Sequence, residues 1–268
     1  MTQTLKLCTW NLQVGLQLET IVAALGQQQD FAGLDLLALQ EASVHAGRED
    51  AQVIASALGS TYHCFQVTAD MLGEYQQANA LVWNTRRLQL ERKESVKLPS
   101  AREIPTLSRR ERALIRVVSS APQRISLVAE GTLLDGDSNA NAATTLRVYS
   151  AHLDVIGFAH KREQFFHILK DMRTRPPVDL TILAGDLNTF KFRARPTWRE
   201  LSAAAEAQGL LDLTSDIRWT HWVPRLRMKQ KLDAIFVGRS RLLHYRAWSL
   251  DIRGSDHIPV FAEVTLED

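Results

Sequence analysis

The stretch LTILAGDLNTF, Leu180 to Phe190, constrains the fold more than any other part of the 268-residue chain. Its apolar run, Leu180-Thr181-Ile182-Leu183-Ala184, is short, continuous and partly β-branched, so it predicts a strand buried on both faces. Gly185 ends the run where the backbone must bend or approach another group closely. Asp186 and Asn188 follow two residues apart, so an extended backbone sends their side chains to the same side. A carboxylate and an amide then share the mouth of a buried strand, which suits orienting and polarising a water. The same pair also suits a strand-end turn that caps loose backbone groups. The rest of the chain has to decide between the two.

The pattern recurs. A strand over Leu5–Trp10 leads into Asn11, and one over Leu34–Gln40 ends at Glu41. Leu146–Leu153 carries His152 and reaches Asp154; Asp233 opens Leu232–Val237; Asp256 and His257 precede Ile258–Val264. Each position alone has an ordinary structural explanation, a satisfied histidine or a solvated strand end. Together they place carboxylates, amides and imidazoles along one edge of a core.

Further strands are predicted at Tyr62–Val67, Ala78–Trp83, Leu88–Leu98, Ala113–Ser119, Ile125–Leu134 and Leu242–Leu250, with a small polar hairpin tip at Asp135–Thr145. Helical spacing marks Gln17–Gln28, Asp50–Leu58, Lys161–Arg173 and Thr197–Gln208, with Gly59 and Gly209 as stops. No repeat or linker divides residues 1–268, so one domain is expected. No apolar stretch approaches the roughly 18 residues that span a membrane, and the N-terminus lacks the pattern of a secretory signal. Cys8 and Cys64 lie in apolar strand contexts and read as small buried hydrophobes, consistent with a reducing cytoplasmic location. A net charge of +2 names no partner. Nothing in the sequence points to a protein partner, and a monomer is expected.

Asn11, Glu41 and Asp256 are hard oxygen ligands of the kind magnesium accepts, with manganese as a substitute. A zinc site would require a Cys/His set that is missing here. Metal-assisted cleavage of a phosphate ester uses all the remaining types. Asp186 activates or orients the attacking water, and Asn188 holds that water or a phosphate oxygen. His152 and His257 donate to non-bridging oxygens, and Asp233 fixes one histidine's tautomer.

The blocks TWN, LQE, AHLD, GDLN, LDAIFV and SDH, in this order from Trp10 to Val264, resemble the endonuclease/exonuclease/phosphatase superfamily. That superfamily holds pancreatic-type deoxyribonucleases, apurinic endonucleases, deadenylases, sphingomyelinases, inositol-polyphosphate 5-phosphatases and tyrosyl-DNA phosphodiesterases. The resemblance implies an α/β fold, a four-layer sandwich of two mixed β-sheets packed face to face with flanking helices. It implies the same roles: Glu41, Asn11 and Asp256 on the metal, Asp186 and Asn188 at the water, His257 paired with Asp233, His152 at the phosphate. Gln40 beside the glutamate reads as structural. YQQANALVW departs from the family's Gly-Asn-Ala at Ala78, leaving Asn79 as a substrate contact to be tested. Gln76 and Gln77 stand where relatives carry an acidic partner for the first histidine, which weakens the case for His152 as a general acid. Arg112 matches a recurrent packing or ion-pair arginine.

Two basic, tryptophan-bearing stretches suggest a nucleic-acid groove, because cations meet phosphates and rings stack on bases. FKFRARPTW carries Lys191, Arg193 and Arg195; RWTHWVPRLRMKQK carries Trp219, Trp222, Arg225, Arg227 and Lys229. A nuclease acting on DNA or RNA is therefore expected. The alternatives are a lipid or inositol phosphate phosphodiesterase or phosphatase, although no membrane-entering apolar loop is present, and a non-catalytic scaffold, although no metal or water residue is lost.

Overall fold

Apolar residues occupy both faces of the central strands, so each sheet has to be covered twice. The computed structural model describes residues 2–101, 103–104, 109, 113, 123–134, 144–155, 157–190, 197–223 and 226–267. All but Ala113 of the predicted strand Ala113–Ser119, together with Arg112 and most of the predicted hairpin tip, lies outside the described residues.

The strands are β1 (Thr2–Asn11), β2 (Leu36–Ala42), β3 (Val44–His45), β4 (Arg48–Glu49), β5 (Tyr62–Leu72), β6 (Tyr75–Asn84), β7 (Leu88–Lys97) and β8 (Ile125–Leu133). They continue with β9 (Thr144–His152), β10 (Leu180–Asp186), β11 (Leu210–Asp212), β12 (His221–Val223), β13 (Met228–Gln230), β14 (Asp233–Gly238), β15 (Leu242–Ser249) and β16 (Val260–Glu267). The helices are α1 (Leu18–Gln27), α2 (Asp50–Leu58), α3 (Phe158–Thr174) and α4 (Thr197–Glu206). Two six-stranded mixed sheets, ordered β15-β16-β1-β2-β6-β5 and β11-β14-β10-β9-β8-β7, form the body. The expected four-layer α/β sandwich is present, with three apolar layers holding it together. The middle one joins the sheets through Leu5, Leu7, Leu36, Ala38, Leu146, Val148, Ile182 and Ile235. The outer two seat α1 and α2 on the first sheet through Ile21, Leu25 and Ile54, and α3 and α4 on the second through Phe165, Ile168 and Leu201.

The sequence predicts each of these helices within a few residues; α3 begins earlier than predicted, at Phe158, with Gly157 before it at φ 89°. Five short strands are not predicted by the sequence: the β3–β4 pair, β11, and the β12–β13 hairpin inside the basic stretch that reads as a loop. Cys8 is buried as expected, whereas Cys64 is only half-buried, because β5 is an edge strand.

Side-chain parity shows how the fold builds a polar floor. The alternate positions that fill the space between the sheets run Leu5, Leu7, Thr9, Asn11 along β1 and Leu36, Ala38, Gln40 along β2. They run Leu146, Val148, Ser150, His152 along β9 and Leu180, Ile182, Ala184, Asp186 along β10. Each row is apolar until it turns polar at the same end, because residues two apart share a face. Gln40 Nε2 donates to Ser150 Oγ at 3.2 Å, so a hydrogen bond crosses between the sheets where the apolar packing stops. Gly185 lies at φ +149°, and a Cβ there would stand 1.9 Å from the Ala151 carbonyl oxygen. Only glycine allows β10 to lie this close to β9 immediately before Asp186.

Candidate active site

Sheet register alone brings three predicted residues into one row. β10 pairs in parallel with β9, setting Asp186 beside His152, and antiparallel with β14, setting Asp186 beside Asp233. Neighbouring strands are about 4.8 Å apart, so these side chains must touch or share a partner. All three are buried, as are Asn11, Asn188 and His257.

Asp186 is the hub. Its Oδ1 accepts the Asn188 main-chain N–H at 2.8 Å, and its Oδ2 accepts Asn11 Nδ2 at 3.0 Å. The same Oδ2 lies 3.7 Å from His257 Nε2 and 3.8 Å from His152 Nε2. Burial pushes the Asp186 carboxyl up to about 6, opposed by His257 and reinforced by Asp233. A carboxylate this close to neutrality is matched to accepting a proton from water. Asn188 sits at φ +49°, an uncommon conformation for a residue other than glycine, and its Nδ2 donates to the Leu153 carbonyl at 2.9 Å.

His257 and Asp233 form a buried pair, with Nδ1 2.8 Å from Asp233 Oδ2. Burial alone would lower the imidazole's pKa, but Asp233 and Asp186 outweigh it and hold it up at about 10. His257 is thus an imidazolium with Nε2–H aimed at the hub. Trp10 Nε1 donates to the His257 carbonyl at 3.0 Å and fixes the main chain behind it.

His152 has a different partner. Arg124, itself buried, donates Nη1 to Gln77 Oε1 at 2.8 Å and lies 3.1 Å from His152 Nδ1. A guanidinium only donates, so Nδ1 must be the bare nitrogen and the proton sits on Nε2. That Nε2–H faces Glu41 Oε1 at 3.6 Å as well as Asp186. Burial, with the positive charges of Arg124 and His257, holds the His152 pKa well below its usual range. His152 is therefore a neutral N–H donor with no proton to give up as an acid. The Gln77 and Arg124 pair stands where an acidic partner would have made an imidazolium.

Glu41 breaks the parity rule. It lies in a β-bulge between Leu39 and Ala42 at φ +50°, and this left-handed residue re-aims a side chain that regular pairing would send toward the helices. Strained φ in a residue other than glycine, held by the surrounding structure, is characteristic of functional positions. Gln77 Nε2 donates to Glu41 Oε1 at 3.2 Å. Burial raises the Glu41 pKa, with Asp256 adding to the rise and Arg124, His257 and an Asn11 hydrogen bond opposing it. Asp256 accepts from His221, Nε2 to Oδ2 3.4 Å. Burial would raise the Asp256 carboxyl, but His221 and His257 hold it below the usual range.

The donor set fits a hard divalent cation. Glu41 and Asp256 are negative, near enough to repel each other, and the most open acids of the site, with side chains 19% and 34% exposed. Asn11 adds a carbonyl oxygen whose other lone pair takes the Gln13 N–H at 2.9 Å. Among the described residues, two three-residue clusters also bring ligand atoms within 4.8 Å of one another: His221, Asp256 and His257, and Asp186, Asp233 and His257. In the second, the histidine already serves Asp233.

The remaining predicted positions divide. Asn79 is buried and its Nδ2 donates to the Ile125 carbonyl at 2.8 Å, bridging the two sheets. That contact occupies its donor in the core. Arg227 is exposed at the hairpin turn and Trp222 is half-buried on β12. Lys191, Arg193 and Arg225 lie outside the described residues.

Arg124, His221 and Lys161 belong to the site but were not singled out from the sequence. Lys161, on the buried face of α3, donates Nζ to the Asn188 carbonyl at 2.5 Å, with the Phe158 and Phe190 rings 5.7 and 5.5 Å away. A lysine in the apolar row of a predicted helix was the available signal. Burial drives its pKa from 10.5 down to about 8, against Asp186 and Asp154. The folded value is the lower one, so between about pH 8 and 10.5 the unfolded chain holds more protons. Through that window the contribution of Lys161 to stability should rise by on the order of 3 kcal/mol, against the loss that His257, held up at about 10 from its usual 6.5, brings as the pH rises. Thermal melts from pH 7 to 10 should therefore show stability falling less steeply in the wild type than in Lys161→Met. Parallel curves for the two proteins would refute it.

The model of the Endonuclease/Exonuclease/phosphatase family matches residues 8–257. No curated protein matches the chain significantly. Similar solved structures include an endonuclease/exonuclease/phosphatase from Bacteroides vulgatus, at 14% identity over 99% of this chain and 100% of that chain, TM-score 0.70. The mannosyl-6-phosphatase Bt3783 of Bacteroides thetaiotaomicron is 15% identical over 97% and 99%, TM-score 0.63. The catalytic domain of human Nocturnin, with bound sulfate, is 14% identical over 98% and 94%, TM-score 0.67. At these identities the structures share the fold and leave the substrate open. The match of the family model along nearly the whole chain, residues 8–257, means that the protein belongs to the endonuclease/exonuclease/phosphatase family of metal-dependent phosphoric ester hydrolases.

Proposed function

We propose that the protein is a magnesium-dependent phosphodiesterase that cuts DNA or RNA, with manganese able to substitute. Glu41, Asp256 and Asn11 hold the ion, which when bound neutralises charge on the phosphate and stabilises the leaving oxygen. Asp186 takes a proton from the attacking water at Oδ2. Asn188, its Nδ2 engaged by Leu153, offers the water its side-chain oxygen. His257 donates Nε2–H to a non-bridging oxygen as charge builds there, steadied by Asp233, and His152 adds a neutral N–H from the other side.

One observation supports nucleic acid in particular: the β12–β13 hairpin hangs on the metal site itself. Trp222 N donates to the Asp256 carbonyl at 2.9 Å, and Ile258 N to the Thr220 carbonyl at 2.8 Å. Two tryptophans, Trp219 and Trp222, and the exposed cations Arg227 and Lys229 are thereby fixed beside a metal ligand. Stacking rings and cations together suit a polynucleotide backbone better than an isolated phosphomonoester. The test is a panel of duplex DNA, single-stranded DNA, RNA, sphingomyelin and inositol phosphates, each with magnesium, manganese or chelator. Metal-dependent cleavage of DNA or RNA is expected. Turnover confined to the lipid or inositol phosphates would replace this proposal with the lipid or inositol phosphate one.

A further inference from the structure

A cavity of about 530 Å³ opens beside Asp256, walled by the turn after β1, the β12–β13 hairpin and the segment before β16. Of the residues assigned above to the ion, the water or the phosphate, only Asp256 lines it. Its size is that of a small-ligand site.

Both of its long walls are fastened to proposed metal ligands. Gln13 donates its main-chain N–H to Asn11 Oδ1 at 2.9 Å, in a turn where Gln13 and Val14 take φ +51° and +48°. Trp222 is tied through its own N–H to the Asp256 carbonyl and pairs with Lys229 across the hairpin. Ser255 completes the frame: its hydroxyl donates to the Asn11 carbonyl at 2.7 Å and receives the His257 N–H at 3.1 Å. A ligand in this cavity is therefore held in fixed relation to the scissile phosphate.

The lining states the chemistry. Trp219 and Trp222 supply flat apolar faces, and Lys229 Nζ caps the Trp219 ring at 3.7 Å from its centroid, which fixes that indole. The Gln13 amide can donate or accept, and Asp251 accepts, which matches the mixed donor and acceptor edge of a nucleobase, such as the N3–H and carbonyl oxygens of thymine. The rim cations Lys229 and Arg253, both exposed, suit a phosphate next to that ring. A neutral hexose could stack on tryptophan too, but it would have no use for the two cations.

We infer that this cavity is a nucleobase subsite: it stacks the base of the nucleotide adjoining the scissile phosphate on Trp222, with Lys229 and Arg253 toward the neighbouring phosphate. The inference rests on the nuclease reading and deepens it, because it makes one base a determinant of rate.

The test compares two diesters with the same leaving group, thymidine 5′-(p-nitrophenyl phosphate) and methyl p-nitrophenyl phosphate, and reads the ratio of their kcat/KM values. The wild type should favour the nucleoside ester by about tenfold or more, the scale of one base stacked on an aromatic ring. Trp222→Ala should collapse the ratio toward one, and Trp222→Phe should restore most of it in a protein with an unchanged melting temperature. A ratio that survives Trp222→Ala, or is not rescued by Phe, overturns the subsite while DNA or RNA cleavage by the wild type still upholds the nuclease reading. Absence of nucleic-acid cleavage, together with Trp222-dependent preference for a hexose 6-(p-nitrophenyl phosphate), overturns both and makes the cavity a sugar site.

Discussion

Asp186→Asn should lower kcat by roughly two to four powers of ten with KM changed only a fewfold, since its effect falls on the transition state. Both carboxylate oxygens accept from nitrogen, Oδ1 from the Asn188 main chain and Oδ2 from Asn11 Nδ2. An amide has one oxygen, so whichever way it turns its NH₂ faces one of these donors. The substitution removes the base and also loosens the Asn188 turn. Steady-state kinetics on a small diester checks it, with a chemical denaturation curve to separate lost chemistry from lost fold. A variant with near-normal kcat, or one that loses only affinity, would move the water-activating role to another residue. His257→Ala should behave similarly, because it removes the imidazolium that faces Asp186 and leaves Asp233 buried without its partner.

Glu41→Gln should cost more than about a hundredfold in metal-dependent turnover and weaken magnesium and manganese binding by calorimetry to a similar degree. Glutamine keeps the length of the side chain at φ +50° and still offers an oxygen to Gln77, so the fold survives. What is lost is a negative charge beside Asp256. With less repulsion the apo protein should hold its melting temperature, and the stabilisation that added metal gives the wild type should shrink. An unchanged metal affinity would place the ion elsewhere, with the His221, Asp256 and His257 cluster the next candidate.

Much of this site is visible in the sequence because of strand parity. Once β9 and β10 are recognised as buried strands, His152 and Asp186 fall on the same face as Leu146 and Val148 and as Ile182 and Ala184, where a polar side chain needs a reason. Asn11 and Asp233 follow the same logic at other strand ends, whereas His257 lies ahead of β16 and shares the parity of Phe261 on the outer face. Glu41 could not be aimed in this way, because its direction depends on a bulge and a left-handed backbone that no alternation reports. Arg124 carried no signal either: it precedes β8 by one residue, and only the pairing of β8 with β9 carries it to His152. The β12–β13 hairpin was missed for a different reason. Its strands are three residues each, and alternation cannot be recognised over so short a run, so Trp219, Trp222 and Lys229 read as a basic loop. On the proposed reading substrate choice lies in that hairpin and the cavity beside it, which is why the reaction class is legible in the sequence and the substrate is not.

Hydrolysis of bis-p-nitrophenyl phosphate by protein stripped with chelator and then titrated with magnesium or manganese tests the hard-cation site most directly. Activity should vanish in chelator, return in proportion to added ion in the wild type, and fail to return in Glu41→Gln over the same range. Turnover that persists in excess chelator, or that returns equally in the variant, would contradict a catalytic cation held at Glu41.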